Sequence, residues 1–216
     1  MDASLIDLDT WARREHFEHY RHVVPCSYAL TTEVDVTALV PALREASRRT
    51  YVAQIWALAT IVNRHDEFRT RVDEEGRPAV WRRCDPAFTI LNPDRETFVC
   101  ASTPYDEDFG RFHDAASEVL DRHRDSTGLF PDGPPEPHCF DVSSIQWTSF
   151  TGFTLVLPRE SDHLLPIFTL GRHVERDGRT LLPVSVQVHH AAADGFHTAR
   201  LVEELGALLG DPSWVA

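Results

Sequence analysis

The run Leu182-Pro183-Val184-Ser185-Val186-Gln187-Val188 alternates in character and feeds directly into His189-His190-Ala191-Ala192-Ala193-Asp194-Gly195, after which an apolar segment of helical period begins. This pattern predicts a buried strand, a tight turn and a helix start. It constrains the chain more than any other stretch, because a strand of this kind needs a sheet around it. A histidine at the end of such a strand is held by the sheet while its ring faces a cleft, which suits a general base. The three alanines are expected to let a ligand approach. Gly195 is expected to supply a backbone conformation that a side chain would oppose.

Composition narrows the function classes. The chain has 216 residues, enough for one substantial domain, and its 42% hydrophobic content is that of a soluble protein. No apolar run is long enough to span a bilayer. The opening Met-Asp-Ala-Ser-Leu-Ile-Asp lacks the basic-then-apolar pattern of a signal peptide, so a cytoplasmic location is expected. The net charge of −13 opposes nucleic-acid and anionic-membrane partners, while leaving room for a local basic patch that holds an anionic cosubstrate. Cys26, Cys84, Cys100 and Cys139 are scattered and read as buried small residues. His189, His190, Asp194 and His197 raise the possibility of a metal site. However, the turn spreads them, adjacent histidines on a strand point to opposite faces, and zinc lacks a further soft ligand. His189 is expected on the packed back face, and no metal is expected.

Along the chain, Asp9 or Thr10 is expected to cap a helix carrying Trp11, Phe17 and Tyr20, and a strand follows from Val23 to Val36. Thr37 is expected to cap a helix over Ala38 to Ser47, with a largely buried helix over Tyr51 to Arg64. Asp73-Glu74-Glu75-Gly76-Arg77-Pro78 signals a hairpin turn beside strands reaching Trp81, Ala87 to Leu91 and Glu96 to Ala101. Tyr105 to His123 reads as a helix with Phe109, Phe112, Ala116 and Leu120 on one face. Gly128 to His138 holds four of the fourteen prolines and reads as a loop. Strands are expected after Asp141 and over Leu165 to His173. No internal repeat and no Gly-x-Ser-x-Gly elbow is present.

Four separated motifs carry a resemblance. They are Trp11-x-Arg13-x-Glu15-His16-Phe17-x-x-Tyr20, the segment Asp85-Pro86-x-Phe88-Thr89, the segment around Ser143 and Trp147, and His189-His190-x-x-x-Asp194-Gly195. Together, and in this order, they resemble the chloramphenicol acetyltransferase family of coenzyme A-dependent acyltransferases. The resemblance runs from Trp11 to Leu205. It implies a single domain over 1–216 with an α/β two-layer sandwich fold and a mixed β-sheet. It implies O-acetyl transfer from acetyl-CoA to chloramphenicol, with His190 as general base and its other ring nitrogen held by a backbone oxygen. Ser143 would donate to the oxyanion, Thr169 would act there through water, and an Arg13–Asp194 pair, suited to bidentate contact, would fix the geometry.

The same resemblance places Tyr20, Cys26, Phe98, Phe130, Phe153, Leu155 and His163 at the acceptor pocket. It places Arg49, Tyr51, Arg172 and His173 at coenzyme A. It implies a homotrimer whose active sites lie between subunits. His19, Ala87, Cys100, Asp141 and His163 depart from the family pocket and make it more polar, so a different small alcohol or amine acceptor is an alternative. A non-catalytic protein binding coenzyme A or drug is another, opposed by the intact His190, Ser143, Thr169 and Asp194.

Overall fold

The computed structural model describes residues 2–158 and 162–215. Its strands are β1 (Ala3–Leu5), β2 (Ser27–Asp35), β3 (Thr70–Val72), β4 (Pro78–Trp81), β5 (Asp85–Asn92), β6 (Thr97–Ser102), β7 (Cys139–Ile145), β8 (Ile167–Gly171), β9 (Val174–Arg176) and β10 (Arg179–His189). Its α-helices are α1 (Arg14–Glu18), α2 (Leu39–Glu45), α3 (Thr50–Arg64), α4 (Phe109–His123) and α5 (Gly195–Gly210).

The main sheet has the order β2-β10-β8-β7-β5-β6, with β9 also paired to β10, and a small second sheet runs β1-β4-β3. β7 is parallel to both β5 and β8, whereas β10 is antiparallel to β2 and β8, so the sheet is mixed as expected. Helices cover one face. Val184, Val186 and Val188 of β10, with Phe168, Leu170, Val142 and Phe88, form one core with Ile55, Leu58 and Ile61 of α3 and Leu201, Leu205 and Leu209 of α5. Each such side chain contributes about 1.5–3 kcal/mol when fully buried. α3 is buried from Val52 through Ala59, which accounts for its run of small and apolar residues.

The other face of the sheet is polar, and the alternation along β10 explains it. Residues 185, 187 and 189 lie opposite 184, 186 and 188. Thr31, Ser185, Thr169 and Ser143 stand in register across β2, β10, β8 and β7. The segment after β7 crosses this face and is pinned to it. Ser185 Oγ donates to the Phe153 carbonyl at 2.7 Å. Gln187 Oε1 accepts from the Leu155 N–H at 2.8 Å, and Gln187 Nε2 donates to the Leu155 carbonyl at 2.9 Å. These bonds satisfy polar groups that would otherwise be costly to bury in a strand.

Several local expectations are corrected. The first α-helix begins at Arg14, not at Asp9 or Thr10, and continues as a π-turn over His19–Val23. Thr10 instead donates to the Asp7 carboxylate, making a turn before the helix. Thr37 caps nothing, because its hydroxyl and N–H both donate to Asp35 Oδ1, and α2 starts at Leu39. The hairpin turn forms as read, with Gly76 at φ +82°. α4 is capped by Asp108, whose side chain accepts from the Arg111 N–H.

Candidate active site

His190 follows the last residue of β10, and its N–H donates to the Cys26 carbonyl at 2.9 Å, tying the turn to the start of β2. Its ring stacks on Tyr20, with centroids 3.8 Å apart and planes 5° from parallel, and Tyr28 meets it edge-on at 5.4 Å. His19 packs edge-on against the far side of this arrangement, 5.0 Å from Tyr20. The imidazole is therefore oriented by aromatic packing. Nδ1 is buried, and no other described residue supplies the backbone oxygen expected there. Nε2 is not sealed off in this way and makes no hydrogen bond among the described residues. His189 is on the opposite side of the strand and nearly buried, with Nδ1 accepting from the Ala191 N–H, as expected of a packed residue. Burial lowers the pKa of His189.

The turn itself differs in its chemistry from the expectation. Ala191, Ala192 and Ala193 are buried in packing, Ala191 and Ala192 together with Phe17 and Leu164, so they are core residues and leave no room for a ligand. Gly195 does not occupy the left-handed region; it simply opens α5. Asp194 is the N-cap of α5, its Oδ1 accepting from the Phe196 N–H at 3.1 Å. Arg13 reaches this carboxylate with one nitrogen, Nη1 to Oδ2 at 2.6 Å, while Nη2 donates to the His190 carbonyl at 3.4 Å. The pair is thus not bidentate. The guanidinium is divided between the helix cap and the backbone of His190, so Arg13 links the two ends of the turn. Burial opposes ionisation of Asp194, but the Arg13 hydrogen bond, the charges of His197 and Arg13, and the Phe196 N–H together hold its pKa below the ordinary carboxylate value.

A second group of residues assembles at the other end of the register. Ser143 Oγ and Thr169 Oγ1 lie 3.2 Å apart on adjacent parallel strands. They sit where β7 and β8 meet the crossing segment, and Ser143 lines a cleft of about 610 Å³. Phe98, Leu155, His163, Cys100, Ala87, Asp141 and Trp147 also line it. Phe98, Trp147 and Leu155 are large apolar side chains left exposed there. Phe130 lies on an adjoining cavity whose wall shares Cys100, Asp141 and His163 with the cleft. Phe153 is not in the lining; its backbone is fixed by Ser185 and Thr31. Burial, assisted by the Asp141 charge, pushes the Cys100 thiol up to about 11, so it is an inert wall residue. All four cysteines are free thiols, and only Cys84 is fully buried.

The two groups are far apart within one chain. Ser143 and His190 are separated by two strands and five residues of β10, which strand geometry converts to on the order of 20 Å. Tyr20 and Cys26 accompany His190, Phe98 and His163 accompany Ser143, and Leu155 lines both the Ser143 cleft and a cavity that it shares with Cys26.

Of the residues expected at coenzyme A, Arg49, Tyr51 and His173 lie at the first turns of α3. His173 lies 3.0 Å from the Gln54 amide through Nε2, and burial lowers its pKa. Arg49 precedes α3, but its guanidinium is committed to Asp121 by two bonds of 2.8 Å. The Tyr51 hydroxyl donates to the Thr89 carbonyl, and burial raises its pKa. Arg172 is exposed just beyond β8, its N–H donating to the Thr148 carbonyl. Among the described residues, no group of His, Cys, Asp and Glu side chains has the arrangement of a metal site. Sequence reasoning missed Tyr28, Ser185 and Gln187. The signal for the last two was their alternation with valines on β10, a polar face in a strand read as wholly buried.

The chain is similar to known proteins over nearly its whole length. The family model described as chloramphenicol acetyltransferase matches residues 1–206. A chloramphenicol acetyltransferase of Streptomyces acrimycini is 62% identical, covering 100% of both chains. One of Clostridium perfringens is 39% identical over 94% of this chain and 93% of its own. Among solved structures, a chloramphenicol acetyltransferase superposes with a TM-score of 0.85 at 23% identity, covering 96% of this chain and 100% of that one.

Proposed function

The chain belongs to the chloramphenicol acetyltransferase family, and on that premise we propose that it moves the acetyl group of acetyl-CoA to a hydroxyl of chloramphenicol. The observation that carries the reading is the Ser143–Thr169 hydroxyl pair at 3.2 Å, with Ser143 on the wall of a largely apolar cleft and Thr169 buried behind it. No nucleophilic serine is needed, because the acceptor brings its own oxygen.

In this reading, Nε2 of a neutral His190 removes the proton of the acceptor hydroxyl as that oxygen attacks the thioester carbonyl carbon. The carbonyl oxygen becomes an oxyanion, and the Ser143 hydroxyl donates to it, with Thr169 acting beside it through water. Collapse breaks the carbon–sulfur bond, and the proton on His190 passes to the departing coenzyme A sulfur. Arg13 and Asp194 move no proton; they hold the turn that carries the base. Because His190 lies about 20 Å from Ser143 in the same chain, we place each site between two copies. His190 of one protomer faces the cleft of the next, in a homotrimer. Arg172 and His173 are the residues best placed for coenzyme A, and the chain acts in the cytoplasm. A thiol-release assay with acetyl-CoA and chloramphenicol tests the reading. Acceptor-dependent release supports it, whereas binding of both compounds without release would leave only a binding protein.

A further inference from the structure

Asp141 and His163 sit in the acceptor cleft, and the proposed acetyl transfer uses neither. Asp141 is two residues before Ser143 on β7, so the two side chains share a face and stand roughly 7 Å apart. Asp141 Oδ2 lies 3.3 Å from His163 Nε2. The other oxygen, Oδ1, accepts no hydrogen bond among the described residues, and the Asp141 side chain retains 46% of its exposure. Both residues line the cleft as well as the cavity beside it. Arg21, the nearby guanidinium on the cavity wall, is turned away to Asp162, with contacts of 3.1–3.2 Å. A carboxylate oxygen with no donor, on the wall that also carries Ser143 and the apolar Phe98, Leu155 and Trp147, with Glu96 as a second carboxylate of the lining, is a recognition element. It attracts N–H donors and repels groups that only accept.

We infer that Asp141, seated by His163, determines acceptor specificity, favouring acceptors whose far end, beyond the hydroxyl that is acetylated, carries a basic amine. The inference rests on the acetyl-transfer reading of the same cleft. An ammonium completes the hydrogen bonding of Oδ1 with a charge-assisted bond, the stronger kind. It also relieves the cost of a carboxylate whose pKa burial has raised, against the opposing charge of His163. A nitro or carbonyl oxygen at the same place meets like charge.

The test compares two acceptors in each enzyme: chloramphenicol, and an analogue with an aminomethyl group in place of its nitro group. The readout is the ratio of their kcat/KM values in the wild type and in Asp141→Asn, which keeps the shape and removes the charge. Taking the ratio within one preparation cancels any difference in folded fraction. If Asp141→Asn does not fold, Asp141→Ser serves instead. The amine-to-nitro ratio is expected to fall about tenfold to a hundredfold on substitution, the range for a hydrogen bond to a charged group. Turnover of both acceptors with an unchanged ratio overturns the inference and leaves acetyl transfer standing. If the wild type acetylates neither acceptor, the acetyl-transfer reading fails first and takes this inference with it.

Discussion

At His190 the ring is positioned by aromatic contact. Tyr20 stacks on it at 3.8 Å and Tyr28 closes one edge, so its orientation depends on a helix near the start of the chain. The base and the oxyanion donor contribute unequally in the proposed mechanism. Alanine at His190 is expected to lower kcat by roughly 10²–10⁴, and alanine at Ser143 by about 10²–10³. Both are measurable by thiol release at matched circular dichroism. A His190→Ala protein as active as the wild type would remove the base from the mechanism. A histidine suited to act as a base was legible because two histidines end an alternating strand before Asp-Gly, and the choice of His190 came with the family resemblance. The stacking partner was not legible: the family resemblance placed Tyr20 at the acceptor pocket, and on its own it reads as one member of an apolar helical stripe.

Among the elements, α5 and β8 show how local geometry supports the site. Asp194 caps α5 and is held ionised chiefly by Arg13. Its folded pKa lies below the unfolded carboxylate value of about 3.9, so the unfolded state takes up protons first on acidification. The contribution is complete above that value and is lost as pH falls through the depressed folded one. Asp194→Asn should therefore be less stable than the wild type near neutrality, with the difference shrinking in thermal melts as the pH falls below the ordinary carboxylate value of about 3.9. A constant difference across that range would mean that the charge of Asp194 adds nothing.

Arg13→Ala should cost roughly 1–3 kcal/mol, less than a sealed pair would, because the Asp194 side chain is 30% exposed. At the end of β8, a Cβ on Gly171 would lie 3.0 Å from Pro183 Cβ and 3.1 Å from the Phe150 ring. Gly171→Ala is therefore expected to destabilise by about 1–3 kcal/mol through overpacking, read as a lower urea midpoint. An unchanged midpoint would mean that the proline and the ring move aside freely. None of this closeness shows in the sequence, where Gly171 reads as the turn after a strand.

For the whole molecule, the separation of His190 from Ser143 has a direct consequence. If sites form between copies, His190→Ala and Ser143→Ala chains, each inactive alone, should complement each other when co-expressed. Every mixed trimer then holds one interface where an intact histidine meets an intact serine, so about a third of wild-type activity per mixed trimer is expected. No recovery in verified mixed oligomers would place both residues in one chain's site and contradict the geometry described above.

Taken by itself, the sequence determined the sheet-end histidine, which follows from an alternating strand and the turn residues after it. The mixed α/β sandwich and the roles of the two hydroxyls came instead from the family resemblance carried by four separated motifs. The sequence did not determine that the alanines of the turn are packing, that Arg13 splits its donors between Asp194 and the His190 carbonyl, or that the loop after β7 is sewn to Ser185 and Gln187. Only the tertiary structure decided those points, because each depends on which distant groups compete for the same donor or the same few ångströms of space. Spacing along a strand reveals which face a side chain takes; what meets it there is set by the rest of the fold.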